Sequence, residues 1–298
     1  MTDTRENDVT APADAAQTGS TYPIDTEQVD ELARLIQQDR LANEAMGSLF
    51  PEGQTLPEGG RLLDLACGPG GWTTEVAFQY PSVEVIGVDI SPNLVEYANT
   101  HARSRGLTNV HFQVMNVMQP LAFPDASFDL INGRFLASFM LPEAWPRLLA
   151  ECFRLLKPGG VLRLTETEGG LTSSPATERY FFLMAQALKR AGQSFSPDGR
   201  HIGITPVLAR LLRRAGFHDV RLHAGAADCS SDAPLHYAFF KDLFVAFTLI
   251  KPFLVRIGLI SREELDQLYQ QAVAEMQSED FCAISTWLTV WGHKPATP

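Results

Sequence analysis

Cysteine is scarce and scattered: the 298 residues hold four, Cys67, Cys152, Cys229 and Cys282, with no C-x-x-C spacing among them. That pattern excludes a zinc ribbon and a disulfide framework, and predicts a reducing, cytoplasmic setting without a bound metal. Basic residues are in deficit too, 24 Lys and Arg against 35 Asp and Glu, for a formal charge of −11. So acidic a chain offers no general footprint to a phosphate backbone, which argues against a nucleic-acid partner; Arg210, Arg213 and Arg214 read as a solvated helix face. Long apolar runs are missing. The most aromatic stretch is interrupted by Lys241, Asp242, Lys251, Pro252 and Arg256, well short of the ~20 apolar residues of a membrane span. Residues 1–25 lack a basic start followed by an apolar stretch, and are expected to form a disordered tail. What remains is an ordinary globular composition, 45% hydrophobic and 20% charged, sufficient for one α/β core with insertions.

The most informative run is Leu62-Leu63-Asp64-Leu65-Ala66-Cys67-Gly68-Pro69-Gly70-Gly71-Trp72, which reads as a buried strand breaking through a glycine loop into a helix. Reversing direction within so few residues needs backbone angles that glycine permits at little steric cost. The same glycines clear side chains from the main chain, leaving helix N-terminal amides open to a carboxylate or phosphate. A β-branched run, Val83 to Ile90, follows and ends in Asp89, where a ribose-binding carboxylate belongs in such folds. Ser91-Pro92 then supplies an N-cap and a first-turn proline for the next helix. Strand, glycine loop, helix, strand, acid and helix make a βαβ unit. Two ligand classes fit it at this point, a dinucleotide and S-adenosylmethionine. The dinucleotide fingerprint wants a third Gly or Ala, and Thr73 stands there; Asp64, four residues before Gly68, is placed to meet a cationic group.

Asp64, Gly68 and Gly70 match the D-x-x-x-G-x-G loop of the class I S-adenosylmethionine-dependent methyltransferases, and the chain resembles that family over about residues 58–167. Val110 to Val117 resembles its third strand. Pro124-Asp125-Ala126-Ser127-Phe128-Asp129 resembles its turn into the fourth, and Leu156-Lys157-Pro158-Gly159-Gly160 its turn into the fifth. The later stretch from Leu208 through Ala215-Gly216-Phe217 to Val220 resembles the family too, which often shows an L-x-x-A-G-F turn there. The resemblance implies a Rossmann-like α/β fold: a seven-stranded, mostly parallel sheet with an antiparallel last strand, plus helical insertions. It also implies S-adenosyl-L-methionine as cofactor, held by Asp64, Ala66, Gly68, Pro69, Gly70, Asp89, Ile90, Asn116, Val117, Asn132 and Arg134. Asn116 stands where Asp is frequent in the family. The fourth strand ends Asn132-Gly133-Arg134-Phe135 rather than in an N-P-P-Y or D-P-P-Y motif, which argues against adenine-N6 DNA methylation. No Asp at position 132 weakens a metal-dependent catechol mechanism.

The expected organisation is a tail over 1–25, a helical cover or lid over 26–57, a cofactor-binding core over 58–170 and a C-terminal half over 171–298. In the lid, Val29, Leu32, Leu35 and Ile36 recur at helical spacing and predict an apolar inner stripe. The C-terminal half carries insertions at about 171–205 and 226–280 and the last two strands. Thr205-Pro206 reads as the N-cap and first-turn proline of a helix, and Ser261-Arg262-Glu263-Glu264 as a capping box. The second insertion is rich in Phe and Tyr, and has three outlets: packing within the chain, a homodimer, or a cap over an apolar substrate.

A sulfonium methyl is already activated, so alignment with a nucleophile and exclusion of water are the main demands. A general base is required only for an acceptor that must lose a proton. His201, His236, Glu166 and Glu168 are the candidates, the two glutamates because they end the fifth strand beside the expected pocket. The expected activity is methyl transfer to O, N or C of a small, apolar or aromatic metabolite. The alternatives are a catalytically silent cofactor-binding partner subunit and an NAD-dependent oxidoreductase.

Overall fold

Apolar runs bounded by glycine turns become eight strands in the computed structural model, which describes residues 21–24 and 28–296. They are β1 (Arg61–Leu65), β2 (Glu84–Asp89), β3 (Val110–Val114), β4 (Phe128–Arg134), β5 (Leu156–Glu166), β6 (Gly170–Thr172), β7 (His218–Asp228) and β8 (Ala283–His293). The expected tail over 1–20, with residues 25–27, lies outside the described residues. Thr21–Ile24, assigned to that tail, is instead anchored: Ile24 is buried, the Thr21 hydroxyl donates to the Phe139 carbonyl, and Tyr22 donates to Glu31.

β1 pairs in parallel with β2 and β4, β2 with β3, and β4 with β5. β8 runs antiparallel to β5 and to β7. β7 occupies one edge of β8 throughout, so β6 shares the other with β5: Glu166 faces Leu288, and after a break at Thr167–Gly169 the pairing resumes with Gly170 facing Ser285. β6 is therefore β5 continued past an irregularity, and the sheet is seven strands wide. The expected parallel sheet with an antiparallel last strand is the one observed.

Its eight helices among the described residues are α1 (Val29–Met46), α2 (Gly71–Gln79), α3 (Pro92–Ser104), α4 (Trp145–Leu155), α5 (Pro175–Arg190), α6 (Thr205–Arg214), α7 (His236–Arg256) and α8 (Arg262–Met276). Successive strand residues point to opposite faces, so Leu62 joins an apolar cluster with Trp72 and Val76 of α2 and Ala98 of α3, while Leu63 joins one with Trp145 of α4 and Leu208 of α6. A third cluster lies off the sheet, where α5, α7 and α8 bury Tyr180, Phe247, Leu254 and Tyr269 together. Tyr180 stacks on Phe247 with ring centroids 3.9 Å apart and donates its hydroxyl to the Phe247 carbonyl at 2.6 Å. Much of the aromatic insertion is thus a core of its own.

Local signals set most helix ends. The Ser91 hydroxyl accepts from Leu94 N at the start of α3, and Ser261 and Glu264 form a capping box at α8. The interrupted aromatic run forms one helix: α7 continues through Pro252, with Ile250, Phe253 and Leu254 buried around it. One expectation at a helix start needs correction. Thr205 is not an N-cap; α6 begins with it, and a carboxylate from elsewhere in the chain takes the capping role. The inner face of α1 also differs from its apolar stripe. Val29 is exposed, whereas Glu31 and Arg34 are buried, because polar partners from Thr21–Ile24 and α7 meet that face.

Candidate functional site

Two cavities open at the carboxyl ends of the parallel strands, where ligands bind in doubly wound sheets. The first lies over the glycine loop. Ala66, Gly68 and Gly70 adopt left-handed angles, φ 47°, 56° and 73°, and turn the chain from β1 into α2. Gly68 has no atom within 4 Å of where a Cβ would sit, so its bare edge faces open space in the cavity wall. Gly70 serves packing instead: a Cβ there would fall 2.5 Å from Phe112 Cε1. Gly71 serves the covering helix, since a Cβ would fall 1.9 Å from Asp39 Oδ2 of α1.

Asp89 closes β2 and is fixed by its neighbours, its Oδ2 accepting from Gly68 N at 2.9 Å and its Oδ1 from Ser91 N at 3.0 Å. Asp64, on β1, accepts from Thr73 Oγ1 at 2.5 Å and Asn132 Nδ2 at 2.7 Å. Thr73 thus spends its hydroxyl on the loop's own acid, which explains a residue that the dinucleotide pattern does not want. Behind Asp64 the polar chain continues: Arg163 Nη1 donates to Asn132 Oδ1 at 2.7 Å, and its Nε to Glu52 at 2.5 Å. Burial pushes the Asp64 carboxyl above its usual range, with Arg134 pulling back. Arg134, at the end of β4, donates to Asp39 at 2.6 Å and Asn43 at 2.8 Å, tying α1 over the loop.

Of the residues expected to hold a cofactor, Asp64, Ala66, Gly68, Pro69, Asp89, Ile90, Asn116, Val117 and Arg134 line this first cavity together. Gly70 and Asn132 stand behind it. Asn116 Oδ1 accepts from Met118 N at 2.9 Å, so its amide is oriented by the turn after β3. Leu35, on the expected inner stripe of the lid, lines the cavity too; sequence reasoning missed Gln38, Asp39 and Ala42 of α1, and Phe135, Ser138 and Phe139. The helical spacing of 35, 38, 39 and 42 was the available signal.

The second cavity adjoins the first, sharing Tyr22, Gln38, Ala42, Phe135 and Ser138 with it. Phe181, Met184, Phe239, Leu243, Phe247 and Trp287 make it predominantly apolar and aromatic. Phe135 stands at the boundary with φ 59°, an uncommon angle for a bulky residue and a mark of a constrained site.

The candidate bases separate in space. Glu166 lines neither cavity; it is buried and accepts from Leu136 N at 2.8 Å and Ala137 N at 3.3 Å, holding the turn that carries Phe135. Its expected orientation towards the pocket is corrected accordingly, and burial pushes its carboxyl up to about 8. Glu168 lines the second cavity, but its oxygens accept from Gly203 N at 2.7 Å and from Thr205 N and Oγ1, both at 2.8 Å, capping α6. His201 is half exposed, 3.7 Å from Glu168. His236, the first residue of α7, is satisfied by the Cys229 carbonyl at 3.2 Å; neither histidine lines a cavity. Among the described residues no group of three or more His, Cys, Asp or Glu could hold a metal ion, and no helix is long and apolar enough to cross a membrane.

Comparison with known proteins identifies the family and the fold. Residues 62–160 match the family model described as "Methyltransferase domain". The demethylmenaquinone methyltransferase of Geobacillus kaustophilus is 31% identical over 175 residues, 55% of this chain and 74% of that protein. A protein of Aspergillus luteorubrus named "Probable methyltransferase ltbC" is 29% identical over 195 residues, 61% of this chain and 64% of that one, so the match spans under two thirds of that relative's length. The fold is shared with phosphoethanolamine N-methyltransferase 2 of Haemonchus contortus in complex with S-adenosyl-L-methionine, at a TM-score of 0.55 and 16% identity over 91% of this chain and 59% of that one. Neither the nicotinamide reading nor that of a silent partner subunit finds support among these matches.

Proposed function

The chain belongs to the class I S-adenosylmethionine-dependent methyltransferases, and from that premise we propose that its first cavity holds the cofactor and its second an apolar or aromatic small-molecule acceptor. The observation that carries the proposal is the shared wall: Tyr22, Gln38, Ala42, Phe135 and Ser138 border both cavities, so two ligands in them would meet there. The residues around the first cavity suit the cofactor's parts. Asp89, already oriented by Gly68 N and Ser91 N, accepts from ribose hydroxyls. Ile90, Leu94 and Val117 offer apolar contacts to an adenine ring. Asp64 and Arg134 place opposite charges near the loop for an amino acid's ammonium and carboxylate.

S-adenosylmethionine, when bound, supplies a methyl group activated by its sulfonium. The protein's share is then to align the acceptor and keep water out. α1 covers the loop through Arg134 and Asp39, and α5 and α7 roof the acceptor cavity. The net charge of −11 favours a small molecule over nucleic acid as acceptor.

Calorimetric titration with S-adenosylmethionine, S-adenosylhomocysteine and NAD in parallel, after removal of co-purified ligand, tests the cofactor assignment. Micromolar-range binding of the two adenosyl compounds without NAD is expected; NAD binding alone would overturn it. Transfer of a labelled methyl group to members of a panel of apolar and aromatic small molecules then tests the acceptor class, and activity confined to highly charged acceptors would sink it.

A further inference from the structure

The second cavity is predominantly apolar, and of the two carboxylates on its wall Glu168 is taken up by Gly203 and Thr205. Asp242, on α7 between Phe239 and Leu243, lines the cavity beside Arg34 and Gln38 of α1. Arg34 Nη1 donates to Asp242 Oδ1 at 2.8 Å. The same guanidinium gives its Nε and Nη2 to Glu31, each at 2.8 Å. One buried cation thus serves two buried carboxylates, leaving an excess negative charge where water is largely excluded. Arg34 is 3% exposed, Glu31 0% and Asp242 11% by side chain.

The two Asp242 oxygens are unequally engaged. Oδ1 takes the guanidinium; Oδ2 takes one long contact, from Gln38 Nε2 at 3.4 Å, among the described residues. An ionised carboxylate can accept about four hydrogen bonds, so acceptor capacity is left over at an apolar wall. A buried acceptor without a good donor is costly, and a ligand that supplies the donor gains what the site lacks. Burial pushes the Asp242 carboxyl upward despite Arg34, the sign of incomplete compensation. The location is also informative. Oδ2 lies beside Gln38, a side chain that lines both cavities.

We propose that Asp242 is the polar anchor of the acceptor cavity, accepting through Oδ2 a hydrogen bond from the hydroxyl or amine head of an otherwise apolar or aromatic acceptor. The inference rests on the reading of the second cavity as the acceptor site. It also selects against heads that carry negative charge, since a carboxylate or phosphate would face Asp242 and Glu31 with only Arg34 between them. Asp242 is a binding and specificity residue here, orienting the head towards the shared wall.

The test uses bicyclic aromatic probes, suited to a cavity of about 310 Å³, with the protein saturated in S-adenosylhomocysteine and affinities read by calorimetry. 2-Naphthol should bind on the order of tenfold tighter than 2-methoxynaphthalene, which is similar in shape and has no donor. Asp242→Asn keeps an oxygen for Arg34 and turns the other position into a donor, so the preference should vanish or invert. A third probe, 2-naphthylmethylamine, identifies the head: a hydroxyl if naphthol remains the tighter ligand and an amine if the ammonium does, either outcome supporting the anchor. Equal binding of naphthol and methoxynaphthalene to the unaltered protein would overturn the inference without any variant having to fold, as would a preference unchanged in Asp242→Asn. Failure of S-adenosylhomocysteine to bind, or of every aromatic probe, would instead remove the underlying reading of the cavities.

Discussion

At the scale of single residues, the acids of this chain divide by what satisfies them. Asp64 and Asp89 sit inside a continuous motif, so sequence spacing alone places them by the loop. Glu166 ends β5 and Glu168 sits in the break after it, and their partners, Leu136 N, Ala137 N, Gly203 N and Thr205 N, come from distant loops. No local pattern announces such partners, which is why both read as candidate bases. Glu166 carries a pH signature. Its carboxyl is raised to about 8 by burial, so between the ordinary carboxylate range and that value the folded state keeps a proton that the unfolded state has lost. Stability from this group is full below the unfolded value, falls as pH rises through the window, and levels off above about 8. Glu166→Gln retains an acceptor for the two amides and does not titrate. Urea midpoints from pH 5 to 8 should therefore fall more steeply for the parent than for the variant, by at most about 5 kcal/mol across the window; parallel profiles would refute the assignment.

Elements were legible where their signals are local. The glycine loop, the serine caps and the capping box at Ser261 all act within a few residues, and helices and strands formed around them. α1 was legible as a helix and illegible in its orientation. Glu31, Arg34, Gln38 and Ala45 have the periodicity of a face, yet polar residues at that spacing ordinarily mark the solvent side. Only partners at Tyr22 and Asp242 turn that face inward. The start of α6 depends on tertiary context in the same way, since Glu168 stands in for a local cap. Glu168→Ala should lower unfolding stability by about 1–2 kcal/mol, with Glu168→Gln recovering part of the loss. Urea denaturation of the three proteins measures this, and an alanine variant as stable as the parent would show that the cap contributes nothing.

At the scale of the whole molecule, the sheet holds its loops still and α1 joins the two cavities. Because Gln38 and Ala42 border both, the position of one helix is common to both binding equilibria. S-adenosylhomocysteine should then raise the affinity of 2-naphthol several-fold, and naphthol should raise that of S-adenosylhomocysteine by the same factor. Four calorimetric titrations close the cycle; independent affinities would mean that the helix does not respond to either ligand. The width of the sheet and the antiparallel direction of its last strand followed from family resemblance, but the wall between the cavities could not, because Tyr22, Gln38 and Phe135 converge only through tertiary packing. Gly71 carries one more consequence. Its missing side chain makes room for Asp39, so one letter of the loop records how closely the covering helix is seated. A larger residue at that position would have to turn the Asp39 carboxylate aside and so strain its bond to Arg134, loosening the latch that keeps the entrance shut.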